Sequence, residues 1–149
     1  MFTVEQEIEI HRTPPDVFAF LSDPENDARW RSDVRGARLV TDGPVGQGSR
    51  IQYEIAFLGR QHPVYEVIGY EPGEAMTFLA LSGPLQGSRL SYRLRPAGAG
   101  TAFRLRLDVR LRFPLRLFEP ALRRPFRTQL SRFLASLQAV LERTGVTAV

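Results

Sequence analysis

The chain has 149 residues, a formal net charge of +4 and no cysteine. It is therefore the size of one ordinary domain and can use neither disulfides, thiol catalysis nor zinc–thiolate sites. Apart from two histidines every basic residue is arginine, and the arginines are spread along the chain rather than gathered in one block, which fits a compositional bias and argues against a nucleic-acid partner.

In the first stretch Phe2, Val4, Ile8 and Ile10 alternate with Thr3, Glu5, Glu7 and Glu9, the pattern of a half-buried strand. The same residues exclude a secretory leader, which needs a basic start and a continuous apolar run. No apolar stretch reaches the ~18–20 residues of a membrane span, so the expected location is cytoplasmic, without integral membrane association. Thr13-Pro14-Pro15-Asp16 signals a helix start, with Thr13 as N-cap, proline in the first turn and an acid at the positive end. Ser22-Asp23-Pro24-Glu25 repeats the signal for a second short helix running toward Trp30.

A meander follows. Leu39 and Val40 lie in a strand ended by Asp42-Gly43-Pro44 and Gly46-Gln47-Gly48. Ile51, Tyr53, Ile55 and Phe57 alternate through the next strand, Leu58-Gly59-Arg60 turns the chain, and Val64 to Tyr70 forms the strand after it. Met76 to Leu81 is apolar on both faces, as a central strand covered on each side would be. Leu90, Tyr92 and Leu94 mark another strand, and Pro96 to Gly100 a loop. The last strand reads from Phe103 to Phe113, with apolar residues at every odd position and arginines or Asp108 between them. From Leu115 to Arg143 apolar residues recur at three- and four-residue steps, from Leu122 and Phe126 to Val140 and Leu141, which predicts one long helix stopped at Gly145. Pro120 and Pro125 should kink or fragment its first turns. No repeat or linker interrupts residues 1–149, which read as a single domain.

Strand, two short helices, six strands and a long helix make up an order that resembles the START/Bet v1-like (SRPBCC) superfamily, and its polyketide cyclase/dehydrase branch most closely. The resemblance is carried by Ala19-Phe20-Leu21-Ser22-Asp23-Pro24-Glu25 followed by Trp30, by Gly43-Pro44-Val45-Gly46-Gln47-Gly48-Ser49, by Tyr70-Glu71-Pro72-Gly73, by Gly100-Thr101 and by the terminal helix. It implies an α+β helix-grip fold: a curved seven-stranded antiparallel sheet wrapped around a long C-terminal helix, with two short helices between strands 1 and 2. It also implies a cavity between sheet and helix for an apolar small molecule such as a lipid or polyketide, with no cofactor and no shared catalytic motif. In such a fold the last strand pairs with the first, so its arginines would face Glu5, Glu7 and Glu9 in cross-strand pairs worth ~0.2–1 kcal/mol each.

On that fold the expected cavity residues are Tyr53, Ile55, Phe57, Tyr65, Met76, Phe78, Tyr92, Phe103, Leu105 and Leu107 from the sheet, and Phe126, Leu130 and Phe133 from the helix. His62, Glu66 and Trp30 are possible polar contacts. His62 opens a strand, and histidine is the side chain whose ordinary charge change falls near neutrality. A buried Glu66 would have a raised pKa. Trp30, the only tryptophan, plugs the junction of short helices and sheet or caps the cavity mouth. His11 and Glu54 fall on outward rows. Two histidines without ligand spacing predict no metal site. Arg123, Arg124, Arg127 and Arg132 form a solvated helix face or draw an anionic group to the cavity rim.

Three functions fit these residues. A carrier of an apolar small molecule needs a cavity of roughly 300 Å³ or more. A polyketide cyclase/dehydratase-like enzyme needs a titratable group in the same cavity. A protein- or membrane-surface adaptor using the arginine-rich helix needs an exposed apolar patch or a continuous basic surface. The chain is expected to act as a monomer or homodimer.

Overall fold

The alternating N-terminal stretch forms β1 (Phe2–Ile10), and it pairs antiparallel along its whole length with the last strand, β8 (Gly100–Val109). The structure is a computed structural model and describes residues 1–57 and 59–147. Between those strands lie α1 (Pro14–Leu21), a 3-10 turn (Pro24–Asn26), α2 (Asp27–Trp30), β2 (Val34–Leu39), β3 (Arg50–Ala56), β4 (Arg60–Gln61), β5 (Val64–Glu71), β6 (Ala75–Ala80) and β7 (Arg89–Ala97). After β8 a second 3-10 turn (Leu115–Phe118) leads into α3 (Glu119–Thr147).

The seven longer strands make one antiparallel sheet in the order β1-β8-β7-β6-β5-β3-β2, and β4 pairs with β3. Register shifts at Val34/Gly36 and Val67/Gly69 place bulges that bend the sheet. Its concave face grips α3, whose Phe126, Leu130, Phe133, Leu134, Leu137, Val140 and Leu141 are all buried. This is the helix-grip arrangement. The short helices start where their caps predict: Thr13 Oγ1 accepts from the Asp16 amide at 3.4 Å, and Asp23 Oδ1 from the Glu25 amide at 3.1 Å. Position 100 must be glycine because a Cβ there would run into the Ile10 carbonyl.

The differences from the sequence reading have local causes. β8 ends at Val109 rather than Phe113, because its partner β1 begins at Phe2, opposite Val109; beyond that point there is no ladder to continue. β6 is central in the sheet, but Thr77 and Leu79 are only half-buried, so it is covered on one side. Leu115–Phe118 separates from the long helix as a 3-10 turn, which leaves Pro120 in the first turn of α3, where a missing N–H costs little. Pro125 lies inside α3 without ending it, and the helix runs past Gly145, since one glycine costs only ~1 kcal/mol in a helix. Leu58 lies outside the described residues. Its neighbour Gly59 turns at φ 95°, and β4 then pairs Gln61 with Ile55.

On the convex face Glu7 bonds both Arg95 (2.9 Å) and Arg104 (3.0 Å), and the Arg104 hydrogen bond holds its carboxyl below the usual range. Arg106, opposite Glu5, turns to Asp108 at 3.1 Å instead. The expected Arg–Glu ladder is therefore centred on Glu7 alone.

Candidate functional site

A cavity of about 70 Å³ lies between the sheet and α3. Its walls are Trp30, Arg31 and Asp33 at the end of α2, Ile55 and Phe57 at the end of β3, Tyr65 on β5, Leu85, Leu90 on β7, Leu105 and Leu107 on β8, and Phe126, Gln129, Leu130 and Phe133 on α3. This is far below the roughly 300 Å³ expected of a ready-made carrier, and below the ~150 Å³ that holds benzene in an engineered core. Aromatic rings occupy the difference. Trp30 packs edge-on against Tyr92 (6.0 Å), Phe103 (6.5 Å) and Phe133 (6.2 Å), and Phe78 against Tyr92 (5.2 Å).

Of the residues expected in the cavity, Ile55, Phe57, Tyr65, Leu105, Leu107, Phe126, Leu130 and Phe133 come together on its wall. Tyr53, Met76, Phe78, Tyr92 and Phe103 are buried in the filled part of the grip and are not wall residues. His62 is not in the cavity: its half-exposed ring lies 3.7 Å from Glu54 on the sheet's outer side. Glu66 also points away and bonds Arg50 at 3.0 Å. Both belong to outward rows, because the inward positions on β5 fall to Tyr65 and Val67. His11 is exposed, 3.7 Å from Glu142.

The charged chemistry is instead in the segment Asp27–Asp33, where the sequence pointed to Trp30 but gave no role to Asp27, Arg31 or Asp33. α2 is a single turn. It puts Asp27, Trp30 and Arg31 on one helical side, at i, i+3 and i+4, and that side faces α3 and β3. Asp27 is 2% exposed and Arg31 8%. Asp27 Oδ2 accepts the Tyr53 hydroxyl at 2.7 Å, and Arg31 donates to Asp33 Oδ2 at 3.4 Å. The guanidinium lies over the rings of Tyr53 (5.5 Å) and Phe133 (5.8 Å). Among the described residues five buried side-chain polar atoms lack a well-formed hydrogen bond: Asp27 Oδ1, Trp30 Nε1, Arg31 Nε, Asp33 Oδ1 and the Tyr92 hydroxyl; of these residues, Trp30 still approaches Asp27, and Arg31 the Tyr92 hydroxyl, as donors. Three of those residues, Trp30, Arg31 and Asp33, are on the cavity wall.

Burial dominates the electrostatics. It pushes the Asp27 carboxyl from its ordinary 3.8 up to about 6, against the pull of Arg31 and the Tyr53 hydroxyl. Burial and then Asp27 push the Tyr53 hydroxyl up, and burial does the same to Tyr65 and Tyr92. For Arg31 burial favours the neutral form, but Asp33 above all keeps it charged.

The sign of the Asp27 effect follows from linkage. Between 3.8 and about 6 the folded protein holds a proton on Asp27 that the unfolded chain has released. Stability is therefore lost as pH rises through that window, by about 3 kcal/mol in total. Asp27→Asn keeps an acceptor for Tyr53 and removes the charge. It should gain on the wild type by about 2–3 kcal/mol between about pH 4 and pH 8, read from urea midpoints. A constant offset between the two proteins across that range would show that Asp27 does not carry this pH dependence.

The family described as "Polyketide cyclase / dehydrase and lipid transport" matches residues 1–142. The chain belongs to this family. None of the curated proteins matches. Solved structures show that the family member has the START/Bet v1-like fold. It superposes on a START superfamily protein from Mycobacterium smegmatis with a TM-score of 0.79, at 18% identity over 95% of this chain and 98% of that one. TTHA0849 from Thermus thermophilus gives 0.78, at 18% identity over 96% and 99%. The Aha1 dimer from Colwellia psychrerythraea gives 0.67, at 19% identity over 95% and 97%. Family and fold together support a scaffold for hydrophobic ligands. Among its described residues the family member has no cluster of three or more His, Cys, Asp or Glu that could hold a metal ion, and no helix long and apolar enough to cross a membrane.

Proposed function

We propose that this chain binds a compact, uncharged, mainly apolar molecule carrying one hydroxyl or carbonyl group, held between the sheet and α3. The observation that carries this reading is that Arg31 and Asp33, which each hold a buried polar atom without a well-formed hydrogen bond (Nε and Oδ1), both contribute to one mainly apolar wall. A buried polar atom without a partner costs about 1–3 kcal/mol, and a hydroxyl can satisfy a donor and an acceptor at once.

Charge counting argues against an anionic ligand. Arg31 is already matched by Asp33, and Asp27 is mostly ionised above about pH 6. The cluster then carries about one net negative charge and has no surplus positive charge for a carboxylate. The ligand also has to make room. Phe57 and Leu85 are only partly buried and stand at the edge of the 70 Å³ space, so binding displaces them outward.

Trp30 is the sole tryptophan and lies on the cavity wall, so its fluorescence reports occupancy. Titration with one- and two-ring phenols should quench or shift that emission, whereas the matching aromatic carboxylates should bind at least about tenfold more weakly. Equal affinity for the two series, or no response to either, would sink the proposal. Asp33 also gives the wall a titratable group, which supports a second proposal: a polyketide cyclase/dehydratase-like reaction in the same cavity. Recovery of every bound phenolic ligand unchanged after incubation would remove it.

A further inference from the structure

Five large apolar side chains are exposed among the described residues, and four of them gather at one end of the molecule. Phe113 is 73% exposed, Leu117 66% and Phe118 57%, all within the connector between β8 and α3. Met1, 73% exposed, joins them, because its amine bonds Glu119 at 3.2 Å, next to Phe118. The connector is folded. The Arg116 amide donates to the Arg112 carbonyl at 3.1 Å, and the Leu117 amide to the Pro114 carbonyl at 3.0 Å. Tight turns thus hold the connector while Phe113, Leu117 and Phe118 stay exposed.

Basic residues flank this apolar segment along the chain. Residues 110–132 contain seven arginines and one acid, Glu119, a balance of +6 against +4 for the whole chain. The remainder of the chain is thus net negative. Ion pairing separates the two sets only in part, because outside this segment Arg29, Arg35, Arg38, Arg89 and Arg143 also have no carboxylate partner among the described residues. Arg12, Arg31, Arg50, Arg60, Arg93, Arg95, Arg104 and Arg106 all have carboxylate partners. Among the described residues no carboxylate pairs with Arg110, Arg112, Arg116, Arg123, Arg124, Arg127 or Arg132; Arg112 donates to Gln86, and Arg123 lies over the Phe2 ring. The only acid in the segment is taken by the N-terminal amine.

We propose that this end of the molecule docks peripherally on an anionic lipid surface. Phe113, Leu117, Phe118 and Met1 enter the boundary between headgroups and acyl chains, and the unpaired arginines around them bind headgroup phosphates. Exposed apolar chains ringed by cations are the pattern that gains from both parts of such a surface. A second copy is a poor occupant, because a two-fold contact through the same patch would set +6 against +6. A nucleic acid would use the arginines and could stack on Phe113 and Phe118, but would leave Leu117 and Met1 in water. Arg110, Arg112 and Arg116 are within or beside the connector. Arg123 and Arg124 follow Phe118 by roughly 8–9 Å along α3, about one Debye length at physiological salt. Phe126, on the cavity wall, is roughly 12 Å along the same helix, so docking would set the cavity near the bilayer. The docking itself does not depend on what the cavity holds.

The test is co-sedimentation of the full chain with vesicles, either phosphatidylcholine alone or phosphatidylcholine mixed equally with phosphatidylglycerol. The protein should pellet with the mixed vesicles, not with the neutral ones, and should be released by salt. Phe113→Ser/Leu117→Ser/Phe118→Ser should weaken binding by at least about tenfold with every arginine retained. Arg116→Glu/Arg124→Glu should weaken it about fivefold or more per residue with every apolar side chain retained. All five side chains are outside the core, and an unchanged Trp30 emission and melting temperature confirms that each variant is folded. Absence of binding to mixed vesicles, equal binding to neutral ones, or indifference to the apolar triple would overturn the proposal. So would a dimer, seen by sedimentation velocity, that the triple abolishes while vesicles bind no protein.

Discussion

Arg31→Met is expected to destabilise the protein by about 3–5 kcal/mol, measured by urea denaturation near neutral pH. Arg31 is the buried cation of the Asp27–Asp33 segment, whose other arginine, Arg29, is exposed, and its guanidinium lies between Asp33 and the rings of Tyr53 and Phe133. Methionine fills much of the same volume, so the loss is electrostatic: Asp33 and Asp27 remain in a low-dielectric site with no countercharge. That origin can be checked directly. Adding Asp27→Asn and Asp33→Asn to Arg31→Met removes the orphaned charges and should recover most of the loss. A purely packing role would give no recovery. If Arg31→Met alone costs under about 1 kcal/mol, the cluster is hydrated rather than buried, and the charge count behind the ligand class fails.

Trp30→Ala should cost a comparable ~3–5 kcal/mol. Trp30 is 1% exposed and its indole meets Tyr92, Phe103 and Phe133 at once. It is the partition between the small cavity and the filled half of the grip. Its removal should join the cavity to the space beside Tyr92 and Phe103, so that two-ring phenols gain affinity over one-ring phenols. Stability is followed by circular dichroism and binding by calorimetry, since the fluorescent reporter is gone. A loss below about 1 kcal/mol, or an unchanged ranking of ligands, would mean that the core collapses over the missing ring.

The scaffold was legible because β1 and α3 each bury one face, and that leaves a period of two or of about 3.6 in the chain. Strand ends were less so. The alternation in β8 continues to Phe113, but a strand lasts only as long as its partner, and β1 starts opposite Val109. The same alternation gave Tyr53, Tyr92 and Phe103 as inward residues without saying which end of the grip stays open; Trp30 decides that, through contacts distant in sequence. Asp27, Arg31 and Asp33 look like ordinary charges at the end of a short helix. The available signal was that Asp27, Trp30 and Arg31 share one helical face, an acid and a base flanking the only tryptophan. The arginines mislead in a related way. They recur along the whole chain, with seven of the twenty between residues 110 and 132, and those seven all lack carboxylate partners among the described residues; pairing is a property of the fold.

The central claim is that an uncharged ligand occupies the space between sheet and α3 and meets Arg31 and Asp33. Nuclear magnetic resonance of isotope-labelled protein with an unlabelled two-ring phenol tests it most directly. Intermolecular contacts are expected from the phenol ring to Phe57, Tyr65, Leu105 and Phe126, with a shift of the Arg31 Nε–H resonance that is absent with the matching carboxylate. Contacts confined to the outer surface, or an Arg31 resonance that does not respond while the phenol is bound, would contradict it.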